Sequence, residues 1–249
     1  MGKTHRLFHV SDVHFGVENP AALDWFTKAV WDEQPDLVIC TGDLTQRATH
    51  KQFEAAGDFF ASLQTPIVLE PGNHDMPYYN LWERFTQPYK RYGKLQDAVG
   101  KGIALEHLVI VPLKTTVRAQ PRFPWSDGYV RREALAQTVE ALKALRSDTR
   151  YKIVTAHHPL VPAVEGGKNP TIGGDNAFAQ LAEAGAQAIL TGHVHVPFEI
   201  ERASGNRSVR MIGAGTLSTR LRGAKPSYNV VMYSPDQGLS VEKREFETV

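Results

Sequence analysis

The sequence predicts an α/β protein built on parallel strands, with a polar site gathered at the carboxyl ends of those strands. Two observations predict it. The first seventy residues run strand, helix, strand, helix, strand, the order that joins parallel strands by helical crossovers. And the apolar runs read as strands end, time after time, in Asp, Asn or His.

The first strand is Leu7-Phe8-His9-Val10, short and apolar, ending at Ser11-Asp12. After Asn19-Pro20, a helix start, apolar residues at helical spacing (Ala22, Leu23, Trp25, Phe26, Ala29, Val30) predict a helix from Ala21 to Trp31, with Trp25, Phe26 and Trp31 in the core. Asp36 to Cys40 is a second buried strand, ending at Thr41-Gly42-Asp43. Cys40, the one cysteine, reads as a small buried hydrophobe. Lys51 to Leu63 is helical in pattern, and Pro66 to Leu69 is a third strand, followed by Pro71-Gly72-Asn73-His74-Asp75. Pro77 to Gly100 reads as short helices and loop, and Ile103–Glu106 with Leu108–Val111 as a hairpin pair. Pro112 to Tyr129 is a long loop, of the kind that is often functional. A helix from Arg131 to Leu145 and a strand from Tyr151 to Thr155 follow, the strand ending at Ala156-His157-His158-Pro159. Val161 to Asn176 reads as loop and Phe178 to Ala184 as helix, and the strand Ala186 to Leu190 ends at Thr191-Gly192-His193-Val194-His195. From Pro197 onward, Phe198–Arg202, Val209–Ile212, Tyr228–Tyr233 and Leu239–Glu245 read as meandering antiparallel strands. With no repeat or linker in 249 residues, one domain spanning 1–249 is expected.

Composition narrows the partners. Twenty-eight Lys and Arg stand against 27 Asp and Glu, so nothing in the net charge of +1 calls for a nucleic-acid or membrane partner. No apolar run approaches a signal-peptide core or a spanning helix, and one cysteine excludes an intrachain disulfide, so a cytoplasmic location is expected. No heptad or apolar face marks an oligomer interface.

The chemistry lies in Asp12-x-His14, Gly42-Asp43, Gly72-Asn73-His74-Asp75, His157 and Gly192-His193-x-His195. In open α/β sheets ligands bind at the carboxyl ends of strands, so these five places converge. Carboxylate, amide oxygen and imidazole suit divalent Mn, Fe, Zn, Co or Ni. Asp12, His14, Asp43, Asn73, His157, His193 and His195 are too many groups for one ion and suit two ions sharing a carboxylate. Taken singly, each motif also fits a turn or a helix cap. Five in order, each at a strand end, are specific.

In these five motifs the chain resembles the calcineurin-like metallophosphoesterase superfamily, whose D-x-H, G-D, G-N-H-D, strand-end H and G-H-x-H follow the same order. The resemblance implies a four-layer α/β/β/α sandwich of two mixed sheets flanked by helices, with the antiparallel C-terminal strands in the second sheet. It also implies Asp12, His14 and His195 on one metal, Asn73, His157 and His193 on the other, and Asp43 bridging. His157 rather than the adjacent His158 takes the ligand role because it directly ends the strand. His74 resembles the superfamily's non-ligand histidine, which stabilises the phosphoryl oxygens or protonates the leaving group. Asp75 is expected to orient His74 or a ligand imidazole. The implied reaction is hydrolysis of a small-molecule phosphate ester by a metal-bridging hydroxide.

Among relatives, the His-His-Pro and Gly-His-x-His segments favour similarity to the bacterial cyclic-nucleotide and glycerophosphodiester phosphodiesterases. The chain departs from them at Leu113–Arg118, where they often carry Asp-Ser. A phosphomonoesterase, a nuclease resembling the double-strand-break repair members, and a non-catalytic scaffold on the same fold are the alternatives. Lys114, Arg118, Arg122, Arg220 and Arg222 are candidate phosphate contacts, with Arg118 and Arg220 singled out to grip the substrate. His5, His9, His50 and His107 lie outside the motifs, where surface or satisfied core roles are expected.

Overall fold

The computed structural model describes residues 2–100, 104–120, 125–163 and 171–247. Two five-stranded sheets face each other. The first has the order β12-β11-β1-β2-β3: β12 is Gly238–Glu245, β11 Ser227–Ser234, β1 His5–Val10, β2 Leu37–Cys40 and β3 Ile67–Leu69. The second has the order β4-β6-β8-β10-β9: β4 is Leu108–Pro112, β6 Tyr151–Thr155, β8 Ala188–Thr191, β10 Arg207–Gly213 and β9 Phe198–Ser204. The β1, β2 and β3 strands are parallel, as are β4, β6, β8 and β10, while β11, β12 and β9 run antiparallel to their neighbours.

Strand periodicity divides the apolar side chains into three layers. Leu7, Leu37, Ile39 and Val231 of the first sheet meet Leu108, Ile153, Ala188, Leu190 and Ile212 of the second in the central layer. Alternate residues point outward. Phe8, Val10, Val38 and Val230 pack under α1 (Pro20–Glu33), α2 (His50–Ser62) and α4 (Lys90–Val99). Val154, Ile189, Val209 and Met211 pack under α5 (Arg132–Ala144) and α6 (Gly174–Ala184). This is the expected four-layer α/β/β/α architecture. The first two helices start within a residue of where the sequence places them, for local reasons. The Asn19 side chain caps α1 by accepting from the Ala22 N–H, with Pro20 in the first turn. Thr49 and Gln52 form a reciprocal capping box on α2.

Four expectations are corrected. The hairpin Ile103–Val111 is not formed: Ile103 lies outside the described residues, Ala104–Glu106 is not strand, and β4 pairs in parallel with β6. Leu105 is instead buried as a plug in the central layer. The C-terminal strands do not share one sheet, because β9 and β10 extend the second sheet while β11 and β12 extend the first beyond β1. Trp31 is 53% exposed, its indole N–H donating to the Ser62 carbonyl. And α6 begins at Gly174, four residues ahead of Phe178. A short α3 (Leu81–Thr86) precedes α4, and β5 (Gly128–Tyr129) pairs with β7 (Thr171–Ile172) inside the segments read as loop.

Candidate metal centre

The carboxyl ends of β1, β2 and β3 of one sheet and β6 and β8 of the other meet at one edge of the sandwich, and all five motifs follow them. The backbone there is bent hard. Asp12, His14, Asp43, His193 and His195 have φ of 54°, 50°, 53°, 69° and 60°, a region non-glycine residues seldom occupy and which costs strain. Hydrogen bonds between loops hold them: Asp12 N–H to the Gly42 carbonyl (2.9 Å), His14 N–H to the Asp43 carbonyl (3.0 Å) and Gly192 N–H to the His157 carbonyl (2.9 Å). Two motif glycines are required by close approach. A Cβ on Gly72 would lie 2.1 Å from the Asp43 backbone nitrogen, and one on Gly192 would lie 1.8 Å from Ser11 Oγ.

The side chains converge as two overlapping groups. In one, His195 Nε2 is 3.0 Å from Asp12 Oδ1 and 3.2 Å from His14 Nε2, which is 3.6 Å from the same Asp12 oxygen. In the other, His157 Nε2 is 3.2 Å from Asn73 Oδ1. Asp43 Oδ2 joins them, 3.6 Å from His14 Nε2 and 3.5 Å from His157 Nε2. The His193 ring packs 5.2 Å from that of His157. Asp12, His14, Asp43, His157 and His195 are buried.

The outer ring nitrogens fix which atom faces inward. His157 Nδ1 lies 2.7 Å from the Thr41 carbonyl and His195 Nδ1 lies 2.6 Å from the Arg220 carbonyl. A carbonyl accepts only, so each Nδ1 carries a proton and each Nε2 is the atom turned to the cluster. Asp12 Oδ1 is buried with no hydrogen-bond partner of its own. Imidazole nitrogens and carboxylate oxygens crowded on one another in a buried cluster are the signature of a cation site, and the N/O donor set suits divalent transition metals. The residues therefore fit a pair of metal ions.

Charge follows the same geometry. Burial pushes the Asp43 carboxyl up, but the imidazoles of His157, His74 and His14 outweigh it and hold Asp43 well below the carboxylate range. Asp12 is likewise held well below, its burial outweighed by His14 and His195. Burial pushes His157 down, yet Asp43 and Asp12 raise it to about 9. His193 goes down to about 3, through burial and then the charge of His157.

Around this cluster the neighbours sort themselves. His158 has both ring nitrogens engaged, Nδ1 with Thr115 Oγ1 (2.9 Å) and Nε2 with the Ser126 carbonyl (2.9 Å), so it ties down the turn at Ser126. Asp75 does not touch His74, contrary to expectation. Its carboxylate accepts from the N–H groups of Leu44 (3.1 Å), Thr45 (2.8 Å) and Gly72 (2.9 Å), and so clamps the loops carrying Asp43 and Asn73. His74 is oriented instead by the Gln46 carbonyl, 2.8 Å from its Nδ1, and its backbone N–H donates to Asp43 Oδ1 (2.8 Å). Arg220 comes to the cluster, Nη1 lying 3.1 Å from His74 Nε2. Arg118 does not; its guanidinium donates to the Phe85 carbonyl (2.6 Å). Lys114 sits over the Tyr89 ring, and Arg122 lies outside the described residues. Sequence reasoning missed Arg47 and Arg84, which with Tyr78 and Trp125 line a cavity of about 450 Å³ opening onto Asn73 and His74. Neither arginine belongs to a motif, so no local signal marks them.

Several solved structures share this fold at low identity. A purple acid phosphatase from yellow lupin (Lupinus luteus) seeds superposes with a TM-score of 0.69 at 14% identity, over 98% of this chain and 52% of the lupin chain. A dimetal phosphatase from Danio rerio gives a TM-score of 0.62 at 12% identity, over 98% and 99% of the two chains. The NAD nucleotidase of Haemophilus influenzae gives 0.56 at 13% identity, over 98% of this chain and 50% of its own. The chain thus spans about half the length of the lupin and Haemophilus proteins. The sequence profile of the calcineurin-like phosphoesterases matches residues 5–197, which hold every motif of the cluster, and the chain belongs to that family.

Proposed function

We propose that this protein is a two-metal phosphodiesterase acting on a small diester. The observation that carries the reading is Asp43 Oδ2 standing between His14 Nε2 and His157 Nε2, at 3.6 and 3.5 Å, as a bridging ligand would. Asp12, His14 and His195 would hold one ion, and Asn73, His157 and His193 the other. Bound there, divalent cations supply Lewis-acid charge and a lowered pKa for the attacking water. The chain's own residues do the rest. With its Nδ1 proton on the Gln46 carbonyl, His74 turns Nε2 toward the substrate, where a proton held at that atom is delivered to the leaving oxygen. Arg220, beside that Nε2, offers N–H groups to the non-bridging phosphoryl oxygens. Burial lowers the His74 pKa against the raising pull of Asp43, with His14 and Arg220 adding to the lowering. The cavity beside His74 gives the second ester group a place, which supports a diester over a monoester.

The test is hydrolysis of bis(p-nitrophenyl) phosphate and p-nitrophenyl phosphate after chelation, with Mn added back. The expected result is Mn-dependent cleavage of the diester, lost in His74→Ala. Preference for the monoester would make the protein a phosphatase, as the lupin and Danio rerio proteins are named.

A further inference from the structure

The cavity beside His74 holds positive charge that the proposed reaction does not use. Arg84, on α3, is only 7% exposed. Its Nε donates to the Arg118 carbonyl (2.9 Å) and its Nη1 approaches the Pro77 carbonyl (3.4 Å), which engages two of the five N–H donors of a guanidinium. Among the described residues no carboxylate pairs with it, and its guanidinium carbon lies 6.0 Å from the centre of the Trp125 ring. Among the described residues Arg47 has no carboxylate partner either, and its guanidinium lies 4.3 Å over the Tyr78 ring. Among the described residues no acidic side chain lines the cavity they share. Carbonyl anchoring alone does not account for this. A neutral amide makes the same bonds, whereas a buried guanidinium with no counter-charge carries a desolvation penalty that an anion would offset. Among the described residues, then, two arginines stand without a carboxylate beside one site. Stacking on an aromatic face leaves the N–H edge of a guanidinium free for bidentate contact with an oxyanion.

Resting on the phosphoesterase reading above, we propose that Arg84 and Arg47, walled by Tyr78 and Trp125, form a subsite for a second anionic group of the substrate. That group is a phosphoryl or a carboxylate on the organic half of the ester. The natural substrate then carries two negative groups, the scissile phosphate at the metal cluster and another in this cavity, which a simple cyclic nucleotide or glycerophosphodiester lacks.

The test uses three matched diesters on the Mn-loaded full chain: phenyl p-nitrophenyl phosphate and its 4-carboxyphenyl and 4-(phosphonomethyl)phenyl analogues. All keep the ring; only the second charge differs. At least one charged diester is expected to exceed the neutral one in kcat/KM by about tenfold or more, the scale of one charge-assisted hydrogen bond, and the preferred one names the group. In Arg84→Met and Arg47→Met that ratio should fall toward one, while Arg84→Lys should keep part of it. Should Arg84→Met fail to fold, as judged by circular dichroism, Arg47→Met carries the test. Equal turnover of charged and neutral diesters by the wild type, or an unchanged ratio in every folded variant, overturns the subsite. If no diester is cleaved, the phosphodiesterase reading fails, and calorimetric titration of benzylphosphonate into chelator-treated protein decides the subsite separately. Binding weakened by Arg47→Met supports it; absent or undiminished binding overturns it.

Discussion

Asp43 is the residue on which both halves of the cluster depend. One carboxylate oxygen lies between two imidazoles and the other accepts the His74 backbone N–H, so the same side chain joins the ligand groups and positions His74. Asp43→Asn keeps the shape and removes the charge. It should lower Mn-dependent hydrolysis by about a thousandfold or more, as losses of central catalytic groups do, and inductively coupled plasma analysis should find less than the wild-type metal content. Full metal content with full activity would remove Asp43 from the bridging role. Asp75, two positions past Asn73, does a different job. Asp75→Ala would strand the buried N–H groups of Leu44, Thr45 and Gly72, at a cost on the order of 3 kcal/mol or more by urea denaturation. An unaltered unfolding midpoint would show that water replaces the carboxylate. The motif residues were legible in the sequence because each lies within a few positions of a strand end, where local pattern fixes direction. The partner of Asp75 was not, because it depends on how the second loop packs against the third.

At the scale of elements, the strand-end loops are held by contact as much as by hydrogen bonds. Gly72 abuts the Asp43 backbone so closely that any Cβ must push one loop off the other. Gly72→Ala should therefore weaken metal binding by about tenfold to a hundredfold, the range seen when supports of a ligand are disturbed, read by Mn titration calorimetry. Unchanged affinity would mean that the loops relax without moving Asp43. The same scale shows where sequence reading stops. Alternation marks Phe198–Arg202 and Tyr228–Tyr233 equally as strands, yet one pairs beside β10 and the other beside β1, because pairing partner is set by tertiary packing rather than by period. The short β5–β7 pair is invisible in sequence for a related reason. Two residues carry no periodicity, and a Cβ on Gly128 would reach His158 Cβ at 2.7 Å, so this glycine marks a close approach that only the folded chain reveals.

For the whole molecule, the site exists because two sheets end together, and a few buried polar links cross the apolar layer between them. Asn229 of β11 donates to the Gly213 carbonyl of β10 (3.0 Å), and Thr155 of β6 donates to Glu70, just past β3 (2.6 Å). Burial raises the Glu70 carboxyl to about 8, with Thr155 and Lys114 only partly opposing it. The sign of the stability effect follows from proton counting. Below about pH 4.5 the carboxyl is protonated whether the chain is folded or not. From there to about pH 8 the unfolded chain releases the proton while the native state keeps it, so the unfolded state gains and stability falls as pH rises; above about 8 the effect is constant. Glu70→Gln keeps the oxygen that accepts from Thr155 and removes the titration. The variant should match the wild type near pH 4.5 and exceed it by on the order of 1–3 kcal/mol at pH 8, measured by urea denaturation at both pH values. Lys114 supplies the competing account, since an ionised Glu70 would be its counter-charge. A variant less stable than the wild type at pH 8 would mean that the link between the sheets is an ion pair, and that the charge, rather than the hydroxyl of Thr155, holds this edge of the sandwich closed behind the metal loops.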